Sequence, residues 1–271
     1  MDWSFGQQSS PPPPGAGGEA AVLEARGLIK HYGGVEALRG ANFQVGAGEV
    51  VALIGDNGAG KSTLVKCLSG AEQPGGGTIL LDGAPVQLTT PTAARKLGIE
   101  TVYQDLAVAP DLDPAANLFL GRELLRRGLP GRLGMLDKAA MRSRAVEHFQ
   151  RLGVTLQRTD VPIGALSGGQ RQSVAVARAV MWASKVVFMD EPTAALGVVQ
   201  RERVLEVVRR VRDEGIAVVL ISHNMPEVLA VADRIEVLRL GKRVARFTAA
   251  EATLEQLVAA MTGALSQEEA E

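Results

Sequence analysis

The sequence has little cysteine and no long apolar stretch. Cys67 is the single cysteine among 271 residues, which excludes a disulfide within the chain and is consistent with a reducing compartment. No run of about 18 apolar residues occurs, so we predict that the chain does not span a membrane by itself. The first residues also lack a basic segment followed by an apolar one, so we see no signal peptide and expect a cytoplasmic protein.

A strong charge of either sign is also missing. The net charge is −1, with 29 Lys and Arg residues against 30 Asp and Glu residues. We therefore expect no overall attraction to nucleic acid or to anionic lipid. Apolar residues make up 46% of the chain and charged residues 22%, which is typical of a soluble globular protein with a sizeable core.

Changes in composition along the chain predict its organisation. Residues 1–20 are rich in Pro, Ser, Gly and Gln, and we expect a disordered leader there, with a Pro-rich docking peptide as the alternative. Residues 21–263 are expected to form one folded domain, with a helical subdomain at about 105–180 inside it. Residues 264–271 are expected to be a frayed acidic tail.

Apolar runs and turn residues predict strands that alternate with helices. This pattern favours an α/β fold with a mostly parallel sheet that is covered on both faces, preceded by an antiparallel β subdomain. We expect a turn at 30–34, a strand at 41–45, and helices at 117–127 and 135–152. The arginines of the helical region are expected to lie on a solvated face.

A glycine-rich stretch with the spacing G-x-x-x-x-G-K-S follows the apolar run at 50–54 and precedes a run with a helical pattern. Glycines let the backbone wrap closely around phosphates, and loop amides at a helix start direct partial positive charge at an anion. The lysine can reach β- and γ-phosphates, and the serine hydroxyl can bind Mg²⁺. An ordinary glycine turn is the alternative. We predict that a nucleotide phosphate chain is bound by Gly55, Asp56, Asn57, Gly58, Ala59, Gly60, Lys61, Ser62 and Thr63.

A second apolar run, at 185–189, ends in Asp190 and Glu191. Together with the phosphate loop, this acidic strand end resembles that of P-loop NTPases. The resemblance implies that Asp190 holds Mg²⁺ through water and that Glu191 orients and polarises the attacking water. Acidic strand ends are common by themselves, so the prediction depends on the loop upstream.

The segment Leu166-Ser167-Gly168-Gly169-Gln170 opens another predicted helix. A serine and two glycines at a helix start create a second anion site, and a capped helix start is the alternative. This segment, the phosphate loop and the acidic strand end together closely resemble the ATP-binding cassette (ABC) family, from about residue 21 to residue 263. The predicted core is therefore the P-loop NTPase (RecA-like) fold, with ATP and Mg²⁺ as ligands.

The resemblance implies further roles. Tyr32 would stack on the nucleotide base, Gln104 would contact Mg²⁺ and the water, and His223 would contact the γ-phosphate. We therefore take Glu191, His223, Gln104 and Lys61 as the catalytic group, and Ser62, Gln104 and Asp190 as the metal group. Ser167, Gly168, Gly169 and Gln170 would bind the γ-phosphate of ATP held by another copy of the chain.

One position departs from the family pattern. The family usually has Ser-Ala-Leu-Asp after Pro-Thr, whereas residues 194–197 read Ala-Ala-Leu-Gly. Gly197 thus replaces an aspartate that reaches across a dimer interface in the family. Similar stretches occur in sugar-importer members, so we expect activity but weaker coupling between two sites.

Finer resemblance favours monosaccharide importers of the ribose, xylose and fructose type, and among them the single-cassette members. It is carried by the stretches 55–60, 101–106, 117–123 and 222–225. It implies an ATPase at the cytoplasmic face of the membrane, docked on separate permease subunits, paired with a second copy, and served indirectly by an extracytoplasmic sugar-binding protein. A soluble cassette ATPase acting on ribosomes or nucleic acid and a P-loop kinase are the alternatives.

Overall fold

The computed structural model describes residues 21–102, 107–156, 158–194 and 196–265. The predictions for the leader, the tail and Gln104 therefore lie outside the described residues. The strands are β1 Ala21–Tyr32, β2 Val35–Gly46, β3 Val50–Ile54, β4 Gly76–Leu81, β5 Ala84–Val86, β6 Ile99–Val102, β7 Val186–Asp190, β8 Ala217–Ile221, β9 Arg234–Arg239 and β10 Lys242–Thr248. The helices are α1 Lys61–Leu68, α2 Pro91–Lys96, α3 Pro114–Leu118, α4 Leu129–Arg132, α5 Lys138–Arg151, α6 Gly168–Trp182, α7 Val198–Asp213, α8 Met225–Val231 and α9 Leu254–Thr262.

An antiparallel sheet joins the two strands before the phosphate loop to β4 and β5, which follow α1, in the order β2-β1-β4-β5. The prediction of an antiparallel β subdomain is confirmed. The turn expected at 30–34 is too long, however, because β1 continues to Tyr32, which pairs with Val35. The hairpin turns only at Gly33 and Gly34, and Gly33 has the positive φ of 59° that a tight reversal requires.

A second, mostly parallel sheet has the order β10-β9-β3-β8-β7-β6. All pairs in it are parallel except the edge pair β9–β10. Strands β3 and β8 are buried throughout, as continuous apolar runs in a covered parallel sheet should be. Because β3, β8 and β7 are neighbours, the loops after their carboxyl ends lie at one edge of the sheet.

The described residues between β6 and β7 contain helices α3 to α6, and α3, α5 and α6 pack on one another around Phe119, Phe149 and Val176. The helix predicted at 117–127 is wrong: α3 ends at Leu118, and Gly121 has a φ of 77° that turns the chain away from a helix. The helix predicted at 135–152 starts three residues later than expected, because Asp137 caps α5 by accepting a hydrogen bond from the Ala140 amide.

Cys67 lies on α1 and is fully buried, so its prediction as a core residue is confirmed. Burial is the main cause that raises the pKa of its thiol to about 11. The thiolate is the reactive form of cysteine, so the folded chain holds this side chain in an unreactive state at neutral pH.

Candidate nucleotide site

The phosphate loop connects the buried strand β3 to the start of α1. Two of its positions, Gly55 and Gly60, have no room for a side chain. A Cβ at Gly55 would lie 2.2 Å from the carbonyl oxygen of Leu238, and a Cβ at Gly60 would lie 2.7 Å from that of Ala37. Gly60 also has a φ of 104°. The loop is thus pressed against β2 and β9 by backbone contacts, which hold its amides near the start of the helix.

The Lys61 side chain folds back over this loop. Its ammonium donates hydrogen bonds to the carbonyl oxygens of Gly55, at 2.6 Å, and Asp56, at 3.0 Å. Burial lowers the pKa of Lys61, whereas Glu191 and Asp190 act to raise it. A half-buried cation beside two carboxylates is therefore held over the loop, at the place where phosphates would meet the amides.

The other residues of the predicted loop differ in exposure. Asp56, Asn57 and Gly58 are exposed at its tip, and Ala59 is buried beneath it. Ser62 is exposed on the first turn of α1, with the partly buried Thr63 beside it.

Asp190 and Glu191 stand at the carboxyl end of β7. Burial and the neighbouring Glu191 raise the pKa of Asp190, and Lys61 opposes this shift. The Glu191 amide donates to the carbonyl oxygen of Ile221 at 2.9 Å, and its backbone has a φ of 50°, in the left-handed region. Such strain at a non-glycine residue is typical of functional sites.

His223, which follows β8, contacts Glu191, which follows β7. Its Nδ1 lies 2.7 Å from Oε1 of Glu191. The ring is mostly exposed, whereas the Glu191 side chain is mostly buried. The structure thus joins two residues that are 32 positions apart in sequence and that were both predicted for the catalytic group.

The oxygen donors at this edge fit Mg²⁺. Across the described ranges, no group of three or more His, Cys, Asp or Glu residues could enclose a metal ion. Mg²⁺ does not need such a cage, since it is usually held by one or two protein oxygens together with waters and substrate phosphates. The Ser62 hydroxyl and the Asp190 carboxylate could supply those oxygens. Gln104, the third predicted ligand, lies outside the described residues.

Glu227 is a contributor that the sequence analysis missed. It is only 6% exposed and accepts hydrogen bonds from the Thr193 hydroxyl, at 2.5 Å, and the Asn224 side chain, at 2.8 Å. Arg201 Nε lies 2.7 Å from its Oε1 as an ion pair without a well-aligned hydrogen bond. Thr193 follows Glu191 by two residues and Asn224 follows His223 directly, so Glu227 joins the loop of Glu191 to the loop of His223.

We expect Thr193→Val to lower kcat by about tenfold while leaving ATP affinity nearly unchanged. The substitution keeps the shape of the side chain but removes the donor to Glu227, so the Glu191 loop loses its anchor, and small displacements of catalytic groups are costly. Steady-state kinetics together with ATP titration would measure both quantities.

Glu236→Gln is the matched control for that experiment. Glu236 is also buried and forms ion pairs with Arg234, Arg243 and Arg246, and none of these pairs involves the loops of Glu191 and His223. Equal losses of kcat in the two variants, measured on folded protein, would show that Thr193 has no specific positioning role.

The segment Ser167–Gln170 begins α6 with a capping box. The Ser167 hydroxyl accepts a hydrogen bond from the Gln170 amide at 3.3 Å, and the Gln170 side chain accepts one from the Ser167 amide at 3.1 Å. Ser167, Gly169 and Gln170 line a cavity of about 190 Å³ with residues of α7, and no residue of the phosphate loop contributes to its lining. Gly168 is exposed.

Gly197 is the N-cap of α7 and offers no side-chain cap. The Gln200 side chain fills the neighbouring space: a Cβ at Gly197 would lie 2.7 Å from Gln200 Oε1, and one at Gly169 would lie 2.5 Å from Gln200 Cγ. The aspartate expected from the family pattern would therefore require Gln200 to move.

Tyr32 lies at the end of β1, apart from the acidic strand ends. Its ring is exposed, and the Lys30 ammonium lies 5.2 Å from the ring centroid. An exposed aromatic face is what base stacking needs, but the contacts of the described residues do not include one between Tyr32 and the phosphate loop. Its role stays a prediction.

The fold and the loop define a P-loop nucleotide-binding protein, and comparison with known proteins narrows the class. The family model described as "ABC transporter" matches residues 38–194. The chain is 52% identical over 245 residues to the fructose import ATP-binding protein FrcA of Rhizobium meliloti, covering 90% of this chain and 94% of that protein. It is 43% identical to the xylose/arabinose import ATP-binding protein XylG of Sulfolobus acidocaldarius, covering 89% of this chain and 94% of that protein.

Solved structures show the same fold. A nucleotide-free ATP-binding cassette from an ABC transporter superposes with a TM-score of 0.76 at 24% identity, covering 90% of this chain and 96% of that one. CbiO1 of Clostridium perfringens, part of an ABC transporter complex, gives a TM-score of 0.73 at 28% identity, covering 89% of this chain and 93% of that one. The chain belongs to the ABC transporter family and is an ATP-binding, ATP-hydrolysing member of it.

Proposed function

We propose that this chain is the ATP-hydrolysing subunit of an importer that takes up a monosaccharide through separate membrane-embedded permease subunits. The observation that carries the sugar assignment is the 52% identity to a fructose import subunit over 90% of this chain. The xylose/arabinose relative supports the same substrate class. The described part of the chain contains no helix that is long and apolar enough to cross a membrane. The chain would work at the cytoplasmic face, and an extracytoplasmic sugar-binding protein would deliver the sugar.

The site geometry supports a division of roles. Lys61 and the loop amides bind the β- and γ-phosphates. Ser62 and, through water, Asp190 would hold Mg²⁺, with Gln104 as a further ligand. Glu191 takes the proton of the attacking water, and His223, bound to Glu191, contacts the γ-phosphate. When bound there, Mg²⁺ would supply positive charge beside the phosphate oxygens on which negative charge develops. Tyr32 is assigned to the adenine base.

A second copy of the chain completes this site. Ser167–Gln170 form an anion site at a helix start, but the cavity lined by Ser167, Gly169 and Gln170 has no residue of the same chain's phosphate loop in its lining. We therefore assign them to the γ-phosphate of ATP bound by the partner in a head-to-tail dimer with two equivalent sites. Gly197 contributes no carboxylate at the dimer interface, so the dimer is expected to be weak without permease.

A groove beside the helical segment is the proposed permease contact. It has a volume of about 260 Å³ and is lined by residues of α2, β6, α6 and the chain after α3, including Leu120. Glu100 is only 8% exposed at its base and pairs with Arg122 at 2.6 Å. The Arg122 guanidinium carbon lies 4.7 Å from the Trp182 ring centroid. The Arg122 side chain is thus positioned by both Glu100 and Trp182.

We expect the double charge reversal Arg122→Glu/Glu123→Arg to reduce permease binding and transport by at least about tenfold, because Arg122 lines the groove, Glu123 is exposed beside it, and charges that complement a partner across an interface are sensitive to reversal. ATP affinity of the isolated chain should not change. Co-purification with the permease and permease-stimulated ATP hydrolysis are the measurements.

The double reversal Arg158→Glu/Asp160→Arg is the control, because that ion pair is exposed on both sides and does not line the groove. Unchanged permease binding and transport in the groove variant would place the contact elsewhere.

Disruption of the gene tests the function itself. Uptake of labelled fructose, ribose, xylose and arabinose should fall for at least one sugar, and the wild-type gene should restore uptake whereas a Glu191→Gln gene should not. Unchanged uptake of all monosaccharides would contradict the proposed substrate class. The relatives named above give no support to the alternative of an ATPase that acts on ribosomes or nucleic acid.

A further inference from the structure

The segment 124–136, which we call the Leu/Arg hairpin, has an unusual composition. It reads Leu-Leu-Arg-Arg-Gly-Leu-Pro-Gly-Arg-Leu-Gly-Met-Leu, with three arginines and no acidic residue. This differs from the whole chain, whose net charge is −1. The hairpin combines positive charge and apolar side chains without any other polar side chain.

Backbone contacts give the Leu/Arg hairpin a defined shape. Leu125 and Leu136 form an antiparallel bridge, and the Arg126 amide donates to the Met135 carbonyl oxygen at 2.9 Å. Gly131 is buried in the turn, where a Cβ would lie 1.7 Å from the Arg126 carbonyl oxygen. The side chains of the hairpin are thus displayed by a closely packed backbone.

That shape exposes apolar groups at the tip. Leu129 and Leu133 are 72% and 74% exposed, and the Leu133 amide donates to the Leu129 carbonyl oxygen at 3.2 Å, so they lie on one side of a helical turn. Leu125 and Met135 are also exposed. An ordered hairpin that presents such large apolar side chains to water points to a binding surface.

The arginines of the Leu/Arg hairpin frame this apolar tip. Arg126, Arg127 and Arg132 are exposed, and the ion pairs found among the described residues do not include them. Adjacent leucines and arginines suit the boundary between acyl chains and phosphate headgroups, where apolar side chains insert and basic ones meet negative charge.

We propose that the Leu/Arg hairpin docks on the anionic surface of the lipid bilayer beside the permease. The position of the hairpin supports this proposal, because Leu120 and Arg122, just before the hairpin, line the groove assigned to the permease. This argument from position rests on the proposed function. If the groove contacts a permease that is embedded in the membrane, the adjoining hairpin lies near the surface of that membrane. Lipid is favoured over a second protein contact because the hairpin offers guanidinium groups and apolar side chains, with no side-chain acceptor.

Vesicle flotation of the full chain tests the proposal without permease or nucleotide. Vesicles of phosphatidylcholine with phosphatidylglycerol should bind the wild-type chain, and vesicles of phosphatidylcholine alone should bind it at least about fivefold less. Leu129→Ser/Leu133→Ser and, separately, Arg126→Ser/Arg127→Ser/Arg132→Ser should each lower binding to the anionic vesicles by at least about fivefold. Raising the salt concentration should weaken the wild-type interaction.

Leu254→Ser/Val258→Ser is the matched control. These residues form an exposed apolar pair with the same spacing on α9, with acidic Glu255 next to Leu254, and their substitution should leave vesicle binding unchanged. Binding of a fluorescent ATP analogue verifies that each variant is folded.

Three results would overturn the proposal: no flotation of the wild-type chain at low salt, equal flotation of the hairpin and control variants, or hairpin variants that float normally but lose permease co-purification. The last result would assign the surface to the permease. Because the assay contains neither nucleotide nor permease, its failure would leave the transport assignment standing. If the sugar-uptake experiment contradicted the proposed function, a positive flotation result would still show that the hairpin binds anionic lipid.

Discussion

Glu191→Gln is expected to bind ATP normally and to lose nearly all turnover. Glu191 stands at the end of β7 with its carboxylate 2.7 Å from the His223 ring, next to the Lys61 ammonium that would hold the phosphates. The amide keeps the size of the side chain but cannot accept a proton from water. General-base catalysis contributes about 10²- to 10⁴-fold, so kcat should fall by that factor. Phosphate release at saturating ATP and Mg²⁺ measures it.

Glu202→Gln is the matched control for this substitution, since Glu202 is an exposed glutamate on α7 that pairs with Arg209. It should hydrolyse ATP at the wild-type rate. A normal rate in Glu191→Gln would mean that another group activates the water, and the role assigned to Glu191 would be wrong.

Lys61→Ala is expected to lose tight binding of ATP. The ammonium is held over the phosphate loop by two carbonyl oxygens, so it is already in place when phosphates arrive. Hydrogen bonds that involve a charged group contribute about 1.5–3 kcal/mol each, and loss of the lysine should weaken ATP affinity by about 10- to 100-fold or more. Titration with a fluorescent ATP analogue measures the dissociation constant.

Two comparisons make the Lys61 result specific. AMP has no β- or γ-phosphate and should bind more weakly than ATP. Its dissociation constant should be nearly the same for the wild type and for Lys61→Ala. Lys66→Ala, which removes an exposed lysine from the same helix, should retain ATP affinity. Equal losses for AMP and ATP would show that the loop had collapsed rather than lost a phosphate contact.

The phosphate loop could be predicted from sequence because its requirements are local. The glycines at 55 and 60 are needed where the backbone passes close to Leu238 and Ala37. A lysine directly after these glycines, at the start of a helix, is typical of phosphate binding. The acidic end of β7 was also predictable, since a buried apolar run that stops at two carboxylates marks the edge of a parallel sheet.

Other features depend on contacts that a sequence does not display. The hydrogen bond between Thr193 and Glu227 joins residues 34 positions apart, so no local sequence pattern indicated the role of Glu227. The helix predicted at 117–127 was wrong because α3 ends at Leu118 and Gly121, inside that range, has a positive φ of 77° that does not fit a helix. The Leu/Arg hairpin occupies part of that range.

The most direct test of the central claim, that two chains together form one ATP-hydrolysing site, is to mix two inactive variants. Lys61→Ala lacks the phosphate lysine, and Ser167→Arg blocks the second anion site. In a head-to-tail heterodimer, one of the two sites keeps Lys61 from one chain and Ser167 from the other. We predict that ATP hydrolysis, nearly absent in each variant alone, is restored on mixing to as much as about a quarter of the wild-type rate, because about half of randomly paired dimers are mixed and each has one intact site. A mixture as inactive as its components, at concentrations where the wild type is active, would contradict the account.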